Sequence, residues 1–123
     1  MGKLRVLIVD DEDDMRALLR ELIRVANDGL SVAGEAADGD AALRYWRQDR
    51  PDVVLLDQRM PGLSGLETAQ IILAESPNQA VVLFSAYLDD EIQRTADKLG
   101  VRACVKKDDA WKVIVRLREW AAA

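Results

Sequence analysis

The sequence predicts a doubly wound α/β domain, a five-stranded parallel sheet with helices on both faces. Three observations lead there. Strand-like and helix-like hydrophobic periods alternate five times along the 123 residues, turn-forming residues fall at the joins, and two apolar runs, Val6-Leu7-Ile8-Val9 and Val53-Val54-Leu55-Leu56, contain no polar residue. A continuous run rich in β-branched residues and bounded by polar ones is the pattern of a strand covered on both faces. Strict alternation of strand and helix implies right-handed crossovers, which distribute helices over both sides of the sheet.

The elements follow in order. Strands are expected near residues 4 to 9, 30 to 36, 53 to 57, 80 to 85 and 102 to 106. Between the first two, a helix over about 14 to 26 carries Met15, Leu18, Leu19, Leu22 and Ile23 as one apolar stripe. The second strand, Leu30 to Ala36, mixes polar and apolar residues and reads as an edge, which leaves the two continuous runs near the centre. Ala42, Leu43 and Trp46 mark the second helix, Leu66, Ala69, Ile72 and Leu73 the third, and Ile92, Ala96 and Leu99 the fourth. In the last, Trp111, Ile114 and Leu117 form the buried stripe, leaving Val113 and Trp120 for another face. Asn27-Asp28-Gly29, Arg50-Pro51-Asp52, Met60-Pro61-Gly62, Ser76-Pro77-Asn78 and Gly100 supply the turns.

Length and composition bound the function. The chain is long enough for one domain with a core that needs no staples. A net charge of −5 and a pI near 4.7 weigh against non-specific binding to nucleic acid or an anionic membrane. One cysteine excludes an internal disulfide and fits a reducing compartment. No apolar stretch approaches the roughly 18 residues needed to cross a bilayer. Met1-Gly2-Lys3 runs straight into the first strand, which leaves no room for a signal peptide, so a cytoplasmic protein is expected.

Both apolar runs end in acids: the first in Asp10-Asp11-Glu12-Asp13-Asp14, the second in Asp57. In open α/β sheets ligands sit outside the carboxyl ends of the strands, where the order of strands reverses. Carboxylates gathered there repel one another unless a cation or protons neutralise them. Magnesium accepts carboxylates, a carbonyl, waters and phosphate oxygens, whereas zinc or copper would call for imidazole or thiolates. With no histidine and one cysteine in the chain, the hard cation is the better fit. Asp13 and Asp14 read instead as first-turn residues that favour the helix dipole.

The ordered set Asp10-Asp11, Asp57, Met60-Pro61-Gly62, Ser85-Ala86 and Lys107-Asp108 resembles the receiver domain of two-component response regulators. The resemblance covers essentially residues 1 to 123 as one domain and implies the flavodoxin-like strand order 2-1-3-4-5. It also implies that Asp57 is the phosphoacceptor and that Mg2+ is held by Asp10, Asp11, Asp57 and the backbone carbonyl of Arg59. Lys107 would pair with Asp57 or the phosphoryl group, and the Ser85 hydroxyl would reach a phosphoryl oxygen. The family pattern Gly-x-x-x-aromatic-x-x-Lys, counted from Gly100, selects Lys107 and puts Cys104 at the aromatic position; Lys106 points to the opposite face.

Because the chain has no histidine, the phosphodonor would be a partner histidine kinase or histidine phosphotransfer protein. Output would run through protein contacts: a downstream target, or a homodimer across the face of the fourth helix, fifth strand and fifth helix. No direct contact with nucleic acid or membrane is expected, and no catalysis beyond the domain's own phosphorylation and dephosphorylation. Two departures matter. Cysteine at 104 cannot fill the space of a ring, so activation is expected to be smaller or routed through Tyr87 or Trp111, and Asp108 in place of the frequent proline makes a cis peptide unexpected. Arg59 and Tyr87, each two residues past a site residue, would border the crevice and slow loss of the phosphoryl group. Other readings are a receiver-like module that binds regardless of phosphate, the excised receiver half of a DNA-binding regulator, and an aspartyl-phosphate hydrolase using Asp11-Glu12-Asp13.

Overall fold

A computed structural model describes residues 3–26 and 29–122. The chain runs β1 (Leu4–Val9), α1 (Asp13–Ala26), β2 (Leu30–Ala36), α2 (Gly39–Asp49), β3 (Val53–Leu56), α3 (Gly65–Glu75), β4 (Ala80–Ser85), α4 (Asp90–Leu99), β5 (Ala103–Lys106) and α5 (Ala110–Ala122). The strands form one parallel sheet in the order β2-β1-β3-β4-β5 that the resemblance implies, with β2 at the edge where its mixed pattern put it. Asn27 and Asp28 of the first expected turn lie outside the described residues, while Gly29 adopts a φ of 79°.

Alternation along each strand sorts the core into two layers. Leu7, Val9, Val54, Leu56, Val81 and Leu83 face Trp46, Ala69 and Ile72 of α2 and α3, with Ala96 of α4 behind them. Val6, Ile8, Val53, Leu55, Val82 and Phe84 face Leu19 and Ile23 of α1 and Val113, Ile114 and Leu117 of α5. Trp46 is fully buried, and its indole N–H donates to Gln79 Oε1 at 2.8 Å. The Gln79 amide in turn donates to the carbonyls of Asp52 and Ala80, so one side chain ties α2 to the amino ends of β3 and β4.

Two helix faces differ from expectation. Leu18 is 44% exposed, because α1 buries the sector centred on Leu19 and Ile23 and Leu18 falls on its flank. In α5 the buried residues are Val113, Ile114 and Leu117, with Trp120 packed against the same layer, whereas Trp111 is 39% exposed. A repeat of three drifts around a helix of 3.6 residues per turn, so Trp111 leaves the face that Ile114 and Leu117 define while Val113 enters it.

Helix ends are fixed locally. Ser64 and Glu67 form a reciprocal capping box at α3, Asp38 and Asp89 cap α2 and α4, and Gly100 closes α4 with a φ of 94°. Between Val6 and Leu7 the register with β2 slips by one residue, leaving Ala33 without a partner in the ladder. The Ala33 carbonyl accepts from the Tyr45 hydroxyl instead.

Candidate functional site

β1 and β3 are adjacent and in register, Val9 beside Leu56, so the residues that follow them emerge side by side. Asp57 N–H donates to Val9 O, and Asp10 N–H donates to Ala36 O, both at 3.0 Å, which extends the ladder one step past the strands. The result is a row of acids at the sheet's carboxyl edge. Asp10 and Asp57 are 2% and 6% exposed, Asp11 is exposed, and one carboxylate oxygen from each lies within 4.8 Å of the others.

Lys107 reaches this cluster from the far side of β4. Its N–H donates to Ser85 O at 2.9 Å, and its ammonium donates to Asp10 Oδ2 at 2.5 Å and Asp57 Oδ2 at 3.2 Å, with Glu12 Oε1 3.7 Å away. Lys106 stays exposed, as alternation requires. The remaining carboxylate oxygens are held by backbone: Asp10 Oδ1 accepts from Glu12 N–H at 2.9 Å and Asp57 Oδ1 from Gln58 N–H at 2.8 Å. Burial pushes the Asp57 carboxyl above its ordinary range; Lys107 opposes this and the charge of Asp10 adds to it. Burial alone would lower Lys107, but its contacts with Asp10 and Asp57 outweigh that and raise it.

Ser85 ends β4 fully buried rather than on the surface, and its hydroxyl oxygen accepts from Tyr87 N–H at 3.1 Å. Asp11, Asp57, Arg59, Tyr87 and Lys107 are among the walls of a crevice of about 430 Å³. Across its mouth the Arg59 guanidinium lies over the Tyr87 ring, 3.7 Å from the centroid. Asp13 and Asp14 lie in the first turn of α1, apart from the acid cluster. All peptide bonds of the described residues are trans, including the one before Asp108.

Two residues missed in the sequence shape the floor. Gly65 N–H donates to Gln58 O at 2.9 Å, and a Cβ on Gly65 would stand 2.3 Å from Asp57 O, so α3 can start here only without a side chain. Gln58 Oε1 accepts from Leu66 N–H at 2.9 Å, which ties the loop after Asp57 to the same helix end. The sequence signal was the glycine directly after the Ser64 cap.

The donors gathered here are carboxylate oxygens, which suit a hard divalent cation and not a thiophilic one. A doubly wound sheet with three acids and a lysine at its switch point defines a class of acidic-pocket α/β domains. The response regulator receiver domain model matches residues 6–117, and the chain belongs to that family. It is 37% identical over 103 residues to protein CcdB of Bacillus subtilis, covering 84% of each chain. It is 36% identical over 107 residues to chemotaxis protein CheY of Thermotoga maritima, covering 87% of each. The signal receiver domain of the putative response regulator NarL from Mycobacterium tuberculosis superposes with a TM-score of 0.90 at 30% identity, over 100% of this chain and 99% of that one. Receiver domains of this kind are signalling domains of two-component systems, generally without enzymatic activity, that bind Mg2+ at an acidic pocket and interact with kinases and downstream targets.

Because burial raises Asp57 above its ordinary 3.8, the folded state keeps that proton longer than the unfolded state, and stability falls as pH rises through the window above 3.8. Lys107 contributes only to the loss above its ordinary 10.5, outside this window. In urea titrations without metal, Asp57→Asn should match the wild type near pH 4 and exceed it at about pH 7; the reverse order would mean that pairing with Lys107 outweighs burial. Gly65→Ala should cost about 2 kcal/mol of stability, since the contact it forces is with backbone. A denaturation midpoint equal to wild type would show that the loop after Asp57 yields freely.

Proposed function

We propose that residues 1 to 123 act as one receiver domain, a phosphorylation-controlled switch in which Asp57 accepts the phosphoryl group. The carrying observation is the buried Asp57 carboxylate with Asp10, Asp11 and Lys107 converged on it. An oxygen of Asp57 attacks the phosphorus of a phosphohistidine on a histidine kinase or phosphotransfer protein, the P–N bond breaks, and the histidine leaves. Asp10, Asp11, Asp57 and the Arg59 carbonyl would hold Mg2+, which offsets charge on the phosphoryl oxygens during transfer. Lys107 already stands 3.2 Å from Asp57 Oδ2 and can follow the negative charge onto the phosphoryl group. Ser85 Oγ accepts from Tyr87 N–H, which leaves its own proton for a phosphoryl oxygen. As the acceptor for such a donor, the domain works in the cytoplasm; no helix among the described residues is long and apolar enough to cross a membrane.

Output runs through protein contacts rather than nucleic acid. A groove of about 460 Å³ between β5 and α5 exposes Trp111 and Val115 beside Cys104, with Lys106, Lys112 and Arg116 around it, a surface for a downstream target or a second copy. Burial, with the charge of Asp97 adding, pushes the Cys104 thiol up, so it serves as a small apolar residue and not as a reactive one. Without a ring at 104, the activating movement is smaller and passes through Tyr87, whose N–H is bonded to Ser85.

Incubation with acetyl phosphate and magnesium, followed by intact mass measurement, should add one phosphoryl group to wild type and none to Asp57→Asn or to wild type in EDTA. Equal labelling of both proteins would move the nucleophile elsewhere. The Arg59–Tyr87 stack narrows the path of water to the acyl phosphate, so Arg59→Ala and Tyr87→Ala should each shorten the phosphorylated lifetime several-fold. Unchanged decay in both variants would remove the stack from that role.

A further inference from the structure

Arg16 is the fourth residue of α1, and its guanidinium is folded back onto the acidic loop. The side chain is 15% exposed. Nη1 donates to the backbone carbonyl of Asp10 at 2.6 Å, Nη2 donates to Asp13, and Nε stands 3.6 Å from Glu35 Oε1. Glu35 is itself held through its other oxygen by Arg20 Nη1 at 2.5 Å. A planar fork with fixed donor directions therefore joins the end of β1, the first turn of α1 and the edge strand β2.

The carbonyl it grips belongs to the peptide linking Asp10 to Asp11. The orientation of that peptide decides where the Asp11 side chain departs from the backbone, and Asp11 is the exposed member of the acid cluster. The other groups of Asp10 are fastened by Ala36 O, Glu12 N–H and Lys107, so Arg16 completes its fixation from behind. We propose that Arg16 is a positioning residue for the cation site, holding the Asp10–Asp11 peptide so that both carboxylates converge, with Glu35 setting the guanidinium from β2. This role rests on the magnesium-dependent reading of the pocket.

The sign of the effect separates positioning from charge. A positive guanidinium near a divalent cation repels it, so its removal would tighten Mg2+ binding if charge were its only contribution. Positioning predicts the opposite. Mg2+ alone is titrated into the unphosphorylated chain and followed by the amide NMR shift of Gln58, whose N–H donates to Asp57. Arg16→Met and Arg16→Lys should both weaken Mg2+ binding by about 10-fold, since lysine keeps the charge and loses the fork. Phosphorylation by acetyl phosphate should regain the wild-type rate once magnesium saturates each variant, which a general loosening of the fold would not allow. Glu35→Asp keeps the negative charge and the Asp10 contact but draws the carboxylate back from the guanidinium, so it should weaken binding by a smaller factor, and it remains informative where an Arg16 variant folds poorly. Unchanged or tighter binding in Arg16→Met, or in Glu35→Asp where Arg16 variants do not fold, overturns the positioning role alone. A wild type that takes up no magnesium overturns it together with the site reading beneath it.

Discussion

One buried ammonium ion organises this molecule. Adjacent parallel strands that both end in aspartate create a repulsion built into the topology, and Lys107 answers it from within the chain by contacting Asp10 at 2.5 Å and Asp57 at 3.2 Å. That lysine sits just past β5, separated from β3 by β4, and only a long side chain directed over the end of β4 can reach. The strand order and the end of β5 set where that charge arrives, and side-chain alternation decides which of the two consecutive lysines brings it. Burial makes the arrangement matter energetically, since a charge taken out of water without partners is expensive.

The same arrangement explains why Asp57 combines two opposed tendencies. Desolvation favours its neutral form, while Lys107 favours the ionised one. Both of its oxygens accept bonds that favour the ionised form, one from the Gln58 N–H and one from the ammonium. The neighbouring backbone is equally constrained, with α3 beginning so close to Asp57 O that only glycine fits. The carboxylate is thus fixed by its own loop, a helix start and a distant strand.

Much of this was legible in the sequence, for physical reasons particular to each feature. Val6 to Val9 and Val53 to Leu56 announce buried strands because both of their faces are covered, and the acids after them are confined by chain connectivity alone. Lys107 over Lys106 followed from alternation and from spacing to Gly100. Faces of helices were less secure: three-residue spacing assigned Trp111 to the core and Val113 outside it, and the reverse holds. The contact between Arg59 and Tyr87, the grip of Arg16 on Asp10, and the approach of Gly65 to Asp57 O join residues through tertiary geometry that no periodicity encodes. The burial of Ser85 has no hydrophobic signal behind it, since a hydroxyl at a strand end carries none; it comes from the elements packed around it.

The tie from Trp46 through Gln79 to Asp52 and Ala80 has a practical side. It clamps the sheet at the end opposite the acids, so the indole there sits in a dry, fixed environment, while the indole of Trp111 meets solvent beside β5. Of the three tryptophans, with Trp120 partly buried against the layer of α1 and α5, these two therefore serve as fluorophores with different duties. One emits at shorter wavelength as an internal reference, and the other reports by its quenching and colour whatever comes to rest against the surface it occupies.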